Sequence, residues 1–171
     1  MNCTRRHWLS GLPVLAASSG QAWASVPPYL RWPPGRTTPA LELPRWEGPV
    51  WRLADAQGQV VVLNFWASWC EPCLAELPSL ELLASRQRQD GLQVVTVNFR
   101  ESDSTLLRHL QRQPLSLPIL RDREGAAARA WRVRIFPTTV VVGRDGRAKF
   151  TVTGEVDWSS DAARQWLLPM L

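Results

Sequence analysis

The sequence predicts an α/β protein in which a mixed β-sheet is covered by helices on both faces. Two apolar runs, residues 59–66 and 93–99, are rich in β-branched residues and too short for a helix that stands alone. Segments with helical periodicity follow each run, and a hairpin signal comes near the end of the chain. The resulting order, β-α-β-α followed by a β-hairpin and a helix, is typical of the α/β class.

The first half of the predicted domain contains two buried strands and a long helix. The strands are residues 59–66, QVVVLNFW, and residues 93–99, QVVTVNF. Between them, a helix is predicted from Cys70 to about Arg88 because apolar residues recur on one face. These apolar residues are Leu74, Leu77, Leu80, Leu83 and Ala84. Pro78 interrupts the helix, and since proline has no N–H to donate, we expect a kink there.

Shorter elements are predicted in the middle of the domain. Residues 104–112 form a helix with Leu106, Leu107 and Leu110 on its apolar side. Residues 117–120 form a short strand or an extended segment. Residues 124–132 are rich in alanine and form a further helix.

A hairpin and a helix are predicted to end the domain. Residues 138–142 form the third main strand, and Asp145-Gly146 is a hairpin turn signal before a strand at residues 148–153. Ser159 or Ser160 can cap a last helix that runs to about residue 168.

Three regions are predicted along the chain: residues 1–24, residues 25–40 and residues 41–171. The first is an export signal, because Arg5 and Arg6 precede an apolar stretch and Ala22-Trp23-Ala24 fits a small-x-small cleavage pattern. An ordinary secretion signal, a twin-arginine signal of bacteria and an uncleaved N-terminus all fit this pattern. The second region contains five prolines and is predicted to be a linker with little regular structure. The third is the folded domain.

Composition and cysteine content exclude several kinds of protein. The net charge of +5 is scattered along the chain without a basic stripe, which argues against nucleic-acid binding. No segment has the roughly 20 apolar residues that span a bilayer. The 171 residues, 45% of them hydrophobic, suit one packed domain, which we expect to be a monomer. Cys3 belongs to the signal, so export would leave only Cys70 and Cys73, and such a lone pair indicates redox function.

Cys70 and Cys73 lie where the first predicted strand passes into the long helix. The N-terminus of a helix carries unsatisfied N–H groups and a positive partial charge, which favour a thiolate and make Cys70 the attacking sulfur. Two intervening residues allow Cys73 to close a small disulfide, and Pro72 suits the first turn of a helix. Cys70 would attack a disulfide of a partner, and Cys73 would then release the reduced partner.

The block Asn64-Phe65-Trp66-Ala67-Ser68-Trp69-Cys70-Glu71-Pro72-Cys73 resembles the thioredoxin superfamily, and within it the exported TlpA/ResA-like reductases. The similarity covers about residues 41–171. It extends through Glu76 and Pro78, through Ile135-Phe136-Pro137-Thr138-Thr139 before a strand, and through the hairpin Gly143-Arg144-Asp145-Gly146-Arg147. The resemblance implies a thioredoxin-like fold and a thiol–disulfide oxidoreductase without a cofactor.

The resemblance also implies roles for individual residues. Pro137 would be a cis-proline that faces the cysteines and shapes a substrate groove. Glu76 matches an acidic residue near the active site, and Trp69 matches an aromatic residue that flanks the first cysteine. With Trp69 and Pro137, the expected groove contains Glu71, Pro72 and Phe136, whereas Glu76 is expected to be catalytic together with Cys70 and Cys73. The buried aspartate of cytoplasmic thioredoxins is replaced by Asn64, which leaves Glu76 as the candidate for acid–base help.

The resemblance further implies partners and a compartment. The expected location is the bacterial periplasm, and the expected client is a disulfide-containing exported protein. An apocytochrome c or a metalloprotein precursor is one client class, with a membrane or periplasmic thiol as the electron donor. The glycine-rich segment of dedicated cytochrome c maturation proteins is absent, and Arg134-Ile135-Phe136 stands in its place.

Alternatives remain open for single residues and for the function. Pro137 could be an ordinary trans proline, and Glu76 could face solvent on its helix. A zinc site would need four ligands, whereas the exported chain adds only His109, which is predicted to be a surface residue. A thiol peroxidase would consume peroxide without a protein disulfide. A non-enzymatic metallochaperone would bind copper in its reduced form.

Overall fold

A computed structural model describes residues 29–171, and the predicted export signal at residues 1–24 lies outside them. The strands are β1 Tyr29–Arg31, β2 Glu42–Leu43, β3 Trp51–Arg52, β4 Val60–Trp66, β5 Leu92–Phe99, β6 Ile119–Asp122, β7 Thr138–Val142 and β8 Ala148–Thr153. The helices are α1 Glu71–Gln87, α2 Asp103–Arg112, α3 Ala126–Ala130 and α4 Asp161–Leu167. Two 3₁₀ turns, Leu53–Ala56 and Leu168–Met170, complete the structure.

Six of the strands form one mixed sheet in the order β1-β8-β7-β4-β5-β6. Strands β4, β5 and β6 are parallel, whereas β7 is antiparallel to β4, and β8 is antiparallel to both β7 and β1. Strand β4 is central and every one of its residues is buried. The predicted mixed sheet of a thioredoxin-like fold is therefore confirmed.

The two faces of the sheet carry separate apolar cores because side chains alternate along a strand. Val60 and Val62 of β4 face the core that contains buried residues of α1, α2 and α4. Val61 and Leu63 face the other core, which contains α3, Trp131 and residues of the chain before β4. Helices thus cover both faces, as predicted, and β4 is held from both sides.

The chain before β4 is more ordered than the sequence analysis predicted. Residues 29–31 of the predicted linker form the edge strand β1, which pairs with β8 from Tyr29 opposite Val152. At the opposite edge, residues 44–46 cover β6, where the Trp46 N–H donates to the Ile119 carbonyl at 2.7 Å. The prediction of little regular structure is wrong for residues 29–31, because three residues are too few to show the alternation that marks a strand, whereas residues 32–40 contain no helix or strand.

Candidate active site

The two cysteines lie at the junction between β4 and α1. Cys70 is the N-cap of α1, and the N–H of Cys73 donates to its sulfur at 3.3 Å. The Sγ atoms of the two cysteines form a disulfide bond of 2.06 Å. Cys70 is 6% exposed and Cys73 is 1% exposed, which leaves Cys70 as the more accessible sulfur. The attacking role of Cys70 and the resolving role of Cys73 stay predictions.

The predicted groove residues surround this junction. The Trp69 side chain is 64% exposed, and its ring meets Phe136 edge to face with centroids 5.9 Å apart. The bond between Phe136 and Pro137 is cis, which confirms that prediction. Pro137 is buried, while Glu71 and Pro72 are exposed on the first turn of α1. The structure therefore brings Trp69 and Phe136 into contact next to the disulfide.

Glu76 is buried one turn after Cys73, with 2% of its surface exposed, so it does not face solvent. One carboxylate oxygen accepts hydrogen bonds from Asn64 Nδ2 at 2.8 Å, Trp158 Nε1 at 3.0 Å and Thr139 Oγ1 at 3.3 Å. The other accepts from the Val156 N–H at 3.1 Å. A single carboxyl group thus connects α1 to β4, to β7 and to the segment before α4.

Burial raises the pKa of Glu76 to about 7, although the hydrogen bonds from Trp158, Val156 and Thr139 act in the opposite direction. The carboxyl group therefore gains or loses its proton in the neutral range. Asn64 is itself buried and donates to Glu76 and Thr139. The only strongly perturbed acid that the described residues place on α1 is consequently Glu76, the third residue after Cys73.

Glu101 is a further site residue that sequence reasoning missed. It follows β5, is 7% exposed, and accepts hydrogen bonds from the Ser68 N–H at 2.8 Å, from the Ser68 hydroxyl and from Asn98 Nδ2 at 2.6 Å. Ser68 lies in the turn that carries Trp69 and Cys70, so Glu101 positions that turn. In the sequence, Glu101 is an acidic residue two positions after an apolar strand, with Asp103 close by, and such a pattern by itself indicates only a loop.

His109 is buried, so its prediction as a surface residue is wrong. It is 5% exposed and its ring lies 5.5 Å from that of Trp66, because it is one helical turn after Leu106 on the inward face of α2. Burial, with a smaller contribution from Arg112, lowers its pKa. Within residues 29–171 no three His, Cys, Asp or Glu side chains are grouped as a metal site would require.

Comparisons with known proteins agree with this geometry. The AhpC/TSA family matches residues 34–150 of the chain. The thiol-disulfide oxidoreductase ResA of Geobacillus thermodenitrificans is 34% identical over 70% of this chain and 69% of its own. The thioredoxin-like protein YneN of Bacillus subtilis is 32% identical over 82% of this chain and 86% of its own.

Solved structures give the same answer for the fold. A Chlorobium tepidum protein, described as a thiol:disulfide interchange protein DsbE, superposes with a TM-score of 0.73 and 29% identity over 80% of this chain and 96% of its own. The exposed lipoprotein thioredoxin Etrx1 of Streptococcus pneumoniae has a TM-score of 0.69 and 31% identity over 77% of this chain and 99% of its own.

None of the helices in residues 29–171 has the length and apolar character that crossing a membrane requires.

The fold, the cysteine pair at the start of α1 and the named relatives lead to one conclusion. The chain belongs to the AhpC/TSA family and is a thioredoxin-like thiol–disulfide oxidoreductase.

Proposed function

We propose that the protein works outside the cytoplasm as a reductase of disulfides in exported proteins. The observation that carries the proposal is the buried Glu76 one turn after Cys73. A carboxylate near the pair disfavours a second negative charge, so it opposes the stabilisation of the Cys70 thiolate by the helix N-terminus. A less stable thiolate makes the reduced protein a better electron donor.

The reaction proceeds through a mixed disulfide. The Cys70 thiolate attacks one sulfur of the client disulfide, forms a new S–S bond and releases the other client sulfur as a thiolate. The Cys73 thiolate then attacks Cys70, which restores the disulfide of the protein and frees the second client thiol. Two electrons pass to the client, and the protein needs a thiol donor to be reduced again.

The proposed location and partners rest on the N-terminal sequence and on relatives. Arg5 and Arg6 precede an apolar stretch in the manner of an export signal, and one relative of 31% identity is described as an exposed lipoprotein. The client is a disulfide-containing exported protein, with an apocytochrome c or a metalloprotein precursor as one class. The donor is a membrane or periplasmic thiol. The bacterial periplasm is the compartment that fits all of these.

Insulin reduction by the purified full chain tests the activity. With a chemical thiol as donor, we expect the wild-type protein and a Cys3→Ser control to reduce insulin. A Cys70→Ser, Cys73→Ser double variant should be inactive, and full activity in it would overturn the proposal. If the wild type does not reduce insulin and the Cys73→Ser variant still consumes peroxide, the peroxidase alternative is favoured. Tight copper binding by the reduced protein would favour the metallochaperone.

Two further measurements address direction and client. A redox titration against glutathione should place the potential well below the about −120 mV of the strongly oxidising DsbA. The Cys73→Ser variant cannot resolve the mixed disulfide, so it should accumulate clients linked to Cys70. Exported proteins among them would support the proposal, and a potential near that of DsbA would contradict the reductase direction.

A further inference from the structure

An exposed apolar surface lies directly beside the disulfide. Trp69 precedes Cys70 and is 64% exposed, and Ile135 is 61% exposed on the segment before the cis bond. Phe136, which follows Ile135, is half-buried, and its ring contacts those of Trp69 and Phe99, with centroids 5.9 Å and 4.7 Å apart. Large apolar side chains exposed together next to a reactive group are typical of an interaction surface.

An arginine borders this surface. Arg100 follows β5 with φ of +53°, in the left-handed region that favours glycine, and its guanidinium carbon lies 5.9 Å from the centroid of the Phe99 ring. Its neighbour Glu101 contacts Ser68 in the active-site turn. Non-glycine residues with a positive φ are concentrated at functional sites, so Arg100 is a candidate functional residue.

Two arginines of this surface are free of acidic partners in the described part of the chain. Arg100 and Arg134 are both exposed, and none of the four ion pairs within residues 29–171 includes either of them. Ser68 and Asn98 occupy the carboxylate oxygens of the adjacent Glu101. The exposed acid of the site is Glu71, on the first turn of α1. Positive charge therefore lies on the side of Phe136, and negative charge lies on the helix.

We propose that Trp69, Arg100, Arg134, Ile135 and Phe136, here called the client rim, bind a polypeptide segment that carries a carboxylate close to its reactive cysteine. The inference rests on the proposed function, in that the client is a protein. The apolar residues of the client rim cover the segment around the client cysteine. The Arg100 guanidinium, with Arg134, pairs with the client carboxylate and so brings the client sulfur to Cys70.

Two disulfide-containing peptides that differ only in Glu or Gln two residues from a cysteine provide the test. The reduced full chain should reduce the Glu peptide about two- to fivefold faster at low salt, the range that one exposed ion pair supplies. The difference should fall at 1 M salt, where the screening length is about 3 Å. Equal rates for the two peptides at low salt, or a faster Gln peptide, would overturn the proposal.

Variants assign the preference to particular residues. Arg100→Gln should reduce the ratio of the two rates, and Arg100→Gln with Arg134→Gln should bring it to one. Arg147→Gln is the matched control, because Arg147 is an exposed arginine in the turn before β8, at the end of the sheet away from Cys70. A ratio that the double variant leaves unchanged, or that Arg147→Gln lowers equally, would contradict the proposal.

Two controls separate this proposal from protein folding and from the direction of electron flow. Arg100→Gly keeps the positive φ without a side chain, so it should lower the ratio without lowering the thermal midpoint. The oxidised protein with reduced peptides should show the same preference for Glu, because the same rim binds in both directions. If the oxidised protein prefers the Glu peptide but the reduced protein does not reduce insulin, only the reductase direction is rejected. If the protein reduces neutral 2-hydroxyethyl disulfide rapidly but shows no preference for the Glu peptide, only the client rim is rejected.

Discussion

Burial and hydrogen bonding have opposite effects on the pKa of Glu76. Four donors from Asn64, Thr139, Val156 and Trp158 favour the carboxylate, whereas burial favours the neutral acid and dominates, so that the pKa lies at about 7. In the unfolded chain the same group has an ordinary pKa near 4.5. The folded protein therefore binds one more proton than the unfolded chain between these two values.

The free energy of unfolding should depend on pH through this one group. Its stabilising contribution is complete below about pH 4.5 and is lost as pH rises through about 7, by roughly 3 kcal/mol. Glu76→Gln cannot titrate, so urea denaturation of the oxidised variant should lack this part of the slope. Glu71→Gln, an exposed glutamate on the same helix, should keep it. Identical slopes for wild type and Glu76→Gln would show that Glu76 does not titrate in this range.

The same substitution should change the redox properties. Above pH 7, Glu76→Gln removes a negative charge near the pair, so the pKa of Cys70 should fall and the potential should become less negative, on the order of 30 mV. Below about pH 6, where Glu76 is protonated in the wild type, the difference should disappear. Thiolate absorbance and a glutathione titration measure both quantities. A potential that is the same in both proteins at pH 8 would mean that Glu76 acts on the fold alone.

Site residues that are close to the cysteines in sequence could be predicted, but those that only the fold brings close to the cysteines could not. Cys70, Cys73 and Glu76 share one helix, so their spacing alone placed them together. Glu101 is 31 residues after Cys70 in the sequence, and only the parallel pairing of β4 with β5 brings it to Ser68. The polar side chain of His109 favours a surface position, whereas its position one turn after Leu106 places it on the buried face of α2.

At the scale of elements, long periodic segments were predicted well and short ones were missed. Strands β7 and β8 have the predicted bounds, and α1 begins one residue after the predicted start because Cys70 is its cap. The last helix, α4, is capped by Ser160, one of the two proposed caps. Strands β1 to β3 have two or three residues each, and their pairing depends on a partner elsewhere in the chain.

In addition to its pairing with β8, strand β1 is anchored to the domain by the side chain of Tyr29. The ring of Tyr29 lies 4.8 Å from that of Phe150 on β8 and 5.7 Å from that of Trp166 on α4, while Leu30 is 72% exposed. Tyr29→Ala should therefore lower the free energy of unfolding by about 1–3 kcal/mol, and Leu30→Ala should change it by less than about 0.5 kcal/mol. Urea denaturation of both variants measures this. Equal effects would mean that β1 adds nothing through Tyr29.

On the scale of the whole molecule, the cysteines lie far from a set of stabilising hydrogen bonds made by Arg144, here called the clamp. The Arg144 guanidinium donates to the carbonyls of Gly58, Asp90, Met170 and Leu171 at 2.7–3.0 Å. Gly58 precedes β4 and Cys70 follows it, so the clamp and the disulfide lie at opposite ends of a seven-residue strand, roughly 20 Å apart. Arginine suits this position because its planar fork can serve several acceptors at once.

Loss of this clamp should weaken the fold and leave the chemistry unchanged. Arg144→Ala is expected to lower the free energy of unfolding by about 1–2 kcal/mol, which is modest because the site is exposed. The reduction potential should stay the same. Arg147→Ala, in the same hairpin and without a side-chain hydrogen bond in the described structure, is the control. A shift in potential in Arg144→Ala would show that the two ends of β4 are coupled.

The order of the strands has a consequence for the protein while it is being made. Val61 of β4 pairs with Val142, and Tyr29 of β1 pairs with Val152, so the sheet is completed only by the last part of the chain. Val142 comes 69 residues after Cys73, which is roughly 3–14 s of translation at about 5–20 residues per second. During those seconds β7 is not yet paired with β4, and Phe136 does not yet contact Trp69 beside the two cysteines. A catalyst of disulfide exchange in other proteins thus begins its existence with its own thiols uncovered.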